Sequence, residues 1–366
     1  MVKTGMKRVL FLDFLRACTP LAVVALHVLG AFEPTNINSI DFYVEKIILG
    51  ALCFAVPIFL MISGSLMLDP AKSFDYRKFF KKNVTRIFLI LVVWILVFAC
   101  LQIFFKPNAL EGHNPLGFII LSFSKYRFYH LWYLVPLLAL YLLTPVLRKV
   151  AANERLLEYV LMIGIVFGFA LPSAVFLLKV AFQNGINGYP SSLIETMVNH
   201  KNIVVQIGNF LGIGYAVYYL LGYYLRVKDF KPIERKIIYI FGLVGLVVAG
   251  LLFPVMLRFN GEVTNETVSL SPWIMALAVA IFVFIKQRYA RRKSNPKIIN
   301  FMAKYSLGVY LTHPIILNFI LPNFYDSEFH LYSMLLLIPL FTIGIYLASL
   351  LLAWILNKIP IVRRVV

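Results

Sequence analysis

Three ionisable residues interrupt the first apolar stretch, FLDFLRACTPLAVVALHV: Asp13, Arg16 and His27. Charged or titratable groups inside a membrane-length apolar run are costly to bury, so each is a functional candidate by default. Arg16 and His27 are separated by eleven positions. At ~100° per residue that is about 20° past three full helical turns, so the two share a face. Along the axis they stand about 16 Å apart, which puts them at opposite ends of one span. Asp13 precedes Arg16 by one turn, a spacing that permits an ion pair. Pro20 cannot donate to the carbonyl four residues back, that of Arg16, so a local kink and a released carbonyl are expected there. A buried arginine suits an anionic ligand. A histidine, titrating at ~6.5, suits proton abstraction near neutral pH. The competing structural reading is an Asp13–Arg16 pair with His27 hydrogen-bonded near the interface; it leaves the shared face unexplained.

Later stretches offer partners. Ser63 and Gly64 stand in FLMISGSLML, His130 and Trp132 in YHLWYL, and His313 in YSLGVYLTHP, just before Pro314. Each has a plain structural alternative: helix packing for Ser-Gly, an interfacial aromatic belt for His130 and Trp132, a satisfied core histidine for His313. If these faces turn inward, two clusters form. Arg16, Ser63, Gly64 and Arg86 make one, and His27, His130 and His313 the other. His113, His200 and His330 fall in connections and carry no signal. Metal-ligand spacing, a phosphate-binding glycine loop, a nucleophile elbow and a Ser-His-Asp order are all missing from the sequence, so metal and covalent-serine chemistry have little support. The three cysteines, Cys18, Cys53 and Cys100, read as small packing residues in apolar runs.

The elements that must position these residues follow from composition. Of the 366 residues, 61% are hydrophobic and only 14% charged, with a net charge of +19. Mean hydropathy is +0.85. A soluble domain lies nearer ~45–50% apolar and ~25% charged. Disorder, a collagen-like chain and a disulfide scaffold are likewise excluded. A span needs ~20 mostly apolar residues, and ten stretches qualify: 9–31, 46–68, 86–105, 129–147, 157–178, 203–225, 236–257, 270–286, 299–321 and 332–356. The basic residues order them. Of the 35 Lys and Arg, 26 fall in connections assigned to one side and 7 to the other, with Arg16 and Lys304 inside spans. That is the positive-inside pattern, and an even number of spans puts both termini in the cytoplasm. The positive charge is then a record of topology, and nucleic acid is not the expected partner.

The fold expected is all-α, a polytopic protein of the cell membrane forming one integral-membrane domain over residues 1–366. The first stretch is too long, and too interrupted by Asp13 and Arg16, for a cleaved signal peptide. No connection is long enough for a further domain, and no internal repeat is visible. Gly164/Gly168 and Gly208/Gly212 have the GxxxG spacing of helix contacts. In KSFDYRKFFKKNVTR, residues 72–86, phenylalanines interleave with basic residues; this reads as an interfacial helix on anionic lipid or as a docking surface for a phosphorylated molecule.

At these residues the sequence resembles the acyltransferase-3 family of multi-pass membrane acyltransferases. The family's hallmark is a basic residue, ten residues, then histidine, and Arg16 to His27 fits it without a gap. AVPIFLMISGSLML, HLWYLVPLLALYLLTPVLR, LGYYLR and SLGVYLTHPIIL resemble further family segments in the same order. Two departures stand out: Ser65 replaces an aromatic residue common after Ser-Gly, and of the basic cluster entering the third span only Arg86 carries over. The extracytoplasmic hydrolase-like extension of some members is absent, which aligns this chain with the stand-alone type acting on envelope sugars. The resemblance implies transfer of an acyl group, commonly acetyl, from cytoplasmic acyl-coenzyme A to a hydroxyl of an envelope glycan or lipid-linked saccharide. It implies His27 as general base and Arg16, held by Asp13, at the donor. Arg86, Ser63 and Gly64 would bind the donor, and His130, Trp132 and His313 the acceptor. Acyl-coenzyme A is then a co-substrate, and no bound cofactor or metal is expected. The alternative class is a transporter or flippase for a glycan or amphiphile, although the two related halves common in such proteins are not visible.

Overall fold

The computed structural model describes residues 9–32, 36, 38–110, 112–124, 128, 130–183, 213–260, 268–320 and 331–366. Every described element is a helix. Eight helical runs are long and apolar enough to cross a membrane: Leu10–Ala31, Ile40–Met67, Tyr76–Phe105, Leu131–Ala151, Glu154–Leu177, Pro232–Pro254, Pro272–Tyr289 and Leu336–Leu356. They coincide with eight of the ten expected spans. The other two differ for separate reasons. The span expected at 203–225 is described only from Ile213, as a helix running to Val227. That expected at 299–321 is the helix Lys297–Ile315, continued by a π turn over Ile316–Ile320. Its length suffices, but Asn300, Lys304, Ser306, Thr312 and His313 lower its hydropathy. A helix enclosed by protein need not be apolar all round, and ten consecutive residues of this one, from Tyr305 to Pro314, are buried apart from Leu307.

Six helices position the site: α1 (Leu10–Ala31), α2 (Ile40–Leu52), α3 (Ala55–Met67), α4 (Thr85–Phe105), α5 (Leu134–Ala151) and α6 (Ile213–Val227). With them stand α7 (Lys297–Ile315) and α8 (Leu331–Leu356). Helix α1 is the hub and packs on α3, α7 and α8. It stays helical through Pro20. Carbonyls of the same stretch find side-chain donors: Thr19 donates to Leu15 O at 2.6 Å and Tyr346 to Ala17 O at 3.2 Å.

Among the described glycines, the tightest approach joins α3 to α6. A Cβ on Gly64 would overlap the carbonyl of Tyr219, and one on Gly222 would overlap the carbonyl of Met61. Small residues let membrane helices meet at this distance, where Cα–H···O contacts and polar side chains hold them. Here Ser65 Oγ donates to Gly222 O at 2.5 Å, and Arg226 donates to Ser65 O and, at 2.9 Å, to Asp69. The described GxxxG pair, Gly164/Gly168, does not make this crossing. Gly168 makes an ordinary contact with Gly214, and Gly208 and Gly212 lie outside the described residues.

Several basic residues do more than record topology. Arg148 donates to Met67 O at 2.8 Å and Lys72 O at 2.7 Å, and Lys286 to Leu225 O at 3.1 Å and Lys228 O at 2.7 Å. At Met67 and Leu225 they satisfy last-turn carbonyls that lack intrahelical partners. The 72–86 segment is not a separate surface helix. A short turn at Tyr76–Phe79 passes through a π turn, Phe80–Val84, straight into α4. Phe74 and Phe79 pack together at 4.9 Å, Arg148 covers Phe74, and Phe79 is buried near Tyr141.

Candidate active site

Two cavities open along the face of α1 that carries Arg16 and His27. The first, about 310 Å³, is lined by Arg16, Ser63, Arg86, Lys304, Asn83 and Tyr141, among others. The second, about 470 Å³, is lined by His27, His130, Trp132, Lys46, Ser269 and Asn318, among others. One is therefore cationic and the other rich in imidazole. Tyr133 and Tyr310 line both. Their rings meet edge to face at 5.8 Å, so the pair forms an aromatic partition between the arginine cavity and the histidine cavity. Tyr310 is fixed by donating its hydroxyl to His130 O.

In the arginine cavity Arg16 is one-third exposed, and its Nη1 stands 3.9 Å from Asp13 Oδ1. That is a loose pair, which leaves the guanidinium directed at the cavity. Ser63 faces the same space, but Gly64 does not line it. Adjacent residues on a helix point about 100° apart, and Gly64 is spent on the crossing with α6. The structure places Gly64 at that crossing and not on the cavity wall. Arg86 enters from α4 and its Nη2 also donates to Val366 O at 3.3 Å. Lys304, unassigned from sequence, supplies a third cation.

In the histidine cavity His130 is buried against Phe98, ring centroids 4.4 Å apart, and Trp132 stands beside Tyr215 at 6.0 Å. A buried ion pair, Lys46 Nζ to Glu45 Oε2 at 2.9 Å, brings Lys46 to the wall. His313, expected at the acceptor, does not line the cavity: it is fully buried behind His27. His313 Nε2 is 2.8 Å from His27 Nδ1. The rings are within 16° of parallel with centroids 4.9 Å apart. Atoms of face-to-face rings stay about 3.5 Å apart, so a 2.8 Å approach means the two imidazoles meet edge to edge through a hydrogen bond.

Membrane-length helices around a cationic cavity and an imidazole-rich one define a multi-pass membrane protein. The chain belongs to the acyltransferase-3 family: the family model described as an acyltransferase domain matches residues 9–358. It is accordingly a membrane acyltransferase transferring groups other than amino-acyl groups. No curated relative and no solved structure matches it.

Proposed function

We propose that the protein transfers an acyl group, acetyl in the first instance, from cytoplasmic acyl-coenzyme A to a hydroxyl of a cell-envelope polysaccharide or lipid-linked saccharide. The observation that carries this reading is the pair of cavities sharing Tyr133 and Tyr310. Arg16, Arg86 and Lys304 suit a donor with several phosphates, with Asp13 beside Arg16 and Ser63 along the arm. A long pantetheine arm extending from there brings its thioester to the partition. His130, Trp132 and Lys46, the last held by Glu45, suit a sugar, which offers hydroxyls to hydrogen bonds and a ring face to an aromatic.

His27 removes the proton of the acceptor hydroxyl as its oxygen bonds to the acyl carbon. The carbon–sulfur bond then breaks, and the thiolate takes that proton back from His27. No net proton is gained or lost at the protein. The enzyme sits in the cytoplasmic membrane with both termini inside, so the donor arrives from the cytoplasm.

The test is incubation of the purified, vesicle-reconstituted protein with radiolabelled acetyl-coenzyme A and envelope glycans. Label in the glycan is the expected result. Movement of unmodified glycan across the vesicle without label would mark a transporter and overturn the proposal. Arg16→Ala is expected to raise the donor KM by about 10–100-fold, the range of a charge-assisted hydrogen bond. Arg16→Lys is expected to retain part of the native affinity; if it is as weak as alanine, the contact is a bidentate fork that lysine cannot make.

A further inference from the structure

Behind His27 the hydrogen bonds run in a fixed order. His313 Nδ1 lies 3.1 Å from the carbonyl of Val309, one turn earlier on α7. A carbonyl only accepts, so this nitrogen carries the proton. In a neutral imidazole the other nitrogen, Nε2, then holds a lone pair. Its neighbour at 2.8 Å is His27 Nδ1, which must donate. His27 Nε2, across the ring, is left as the basic nitrogen. One backbone carbonyl thus sets the tautomer of two histidines in series.

We infer that His313 is a positioning residue for the acyl transfer, holding His27 in the Nδ1–H tautomer with Nε2 as the base. This rests on the proposed role of His27 and adds the device that aims it. The logic is that of a buried acceptor orienting a catalytic imidazole, where loss of the right tautomer is costly even with the geometry intact. When His27 takes the hydroxyl proton on Nε2, its Nδ1–H still donates to His313 Nε2. The imidazolium is stabilised there, and His313 changes neither its protons nor its partner. The surroundings favour a fixed ring over a mobile one. His313 is fully buried, Pro314 follows it in the helix, and Tyr310 and His130 stand at 6.3 and 6.1 Å from its ring.

Two measurements on the full chain test this. The first needs no variant: nitrogen-15 resonances of histidine-labelled protein, with the His27 signals identified by their loss in His27→Ala. Native His27 is expected to show a protonated Nδ1 and an unprotonated Nε2. The opposite tautomer would overturn the inference. The second compares His313→Leu, which removes the acceptor, with His313→Gln, whose amide oxygen can take the place of Nε2. In folded protein, judged by monodispersity and thermal unfolding, His313→Leu is expected to lower kcat by on the order of 100-fold with the donor KM unchanged. His313→Gln is expected to stay within about tenfold of native. Native kcat in His313→Leu alongside an inactive His27→Ala would overturn the positioning role and leave the base assignment standing. An active His27→Ala would instead remove the base assignment itself.

Discussion

His27→Ala is expected to lower turnover by about 10²–10⁴-fold, the usual contribution of a general base, while leaving a folded protein. The imidazole is only half-buried and lines a cavity. Its removal opens space continuous with one that water can enter, and no sealed void is created. It costs the hydrogen bond to His313, worth about 1 kcal/mol net. Donor binding should survive, because the cations of the arginine cavity are untouched: Arg16 is eleven positions away along α1, on the far side of Tyr133 and Tyr310. The measurement is acyl transfer from labelled acetyl-coenzyme A beside donor binding by isothermal titration on the same preparation. Transfer near the native rate from well-folded His27→Ala would remove the mechanism. Loss of both transfer and binding would mean that the two cavities are not separate and would equally count against it.

The residues of α1 were legible from sequence because their relation lies within one helix. Helical periodicity alone puts Arg16 and His27 on one face, and the structure gives each its own cavity along that face. Relations between helices were not legible. Nothing in LWY or GVY marks Tyr133 and Tyr310 as a partition, since buried aromatics are common throughout a chain that is 15% Phe, Trp and Tyr. Glu45 and Lys46 are adjacent in sequence, and only their buried pairing in α2 brings Lys46 to the wall of the histidine cavity. His313 was found as a candidate, but its partner lies 286 positions away, and which face of α7 meets α1 depends on the whole bundle. Helix α7 was legible as the stretch 299–321 despite its polar groups, which it can carry because protein, not lipid, surrounds much of it. The division between Ser63 and Gly64 likewise needs a second helix: Ser63 lines the arginine cavity, while its neighbour Gly64 meets the backbone of α6.

That distinction gives the second large effect. Gly64→Ala is expected to reduce folded protein sharply, with a destabilisation of about 1–3 kcal/mol or more, and without the raised donor KM that a donor contact would predict. The added Cβ would overlap the backbone carbonyl of Tyr219, which no rotamer change can relieve. Relief requires α3 and α6 to move apart. That separation would stretch the Ser65–Gly222 hydrogen bond and the Arg226 contacts to Ser65 and Asp69, which all cross the same interface. Gly222→Ala attacks the reciprocal contact with Met61 and should behave alike. Ser63→Ala is the contrast. It points into the arginine cavity, so it should fold normally and register, if anywhere, in donor KM. Thermal unfolding in detergent and donor KM measured on all three variants separate the cases. A well-folded Gly64→Ala enzyme with a weakened donor site would return Gly64 to the binding machinery. The expected result leaves the Ser-Gly pair divided, one residue facing the chemistry and the next closing the helices that hold it in place.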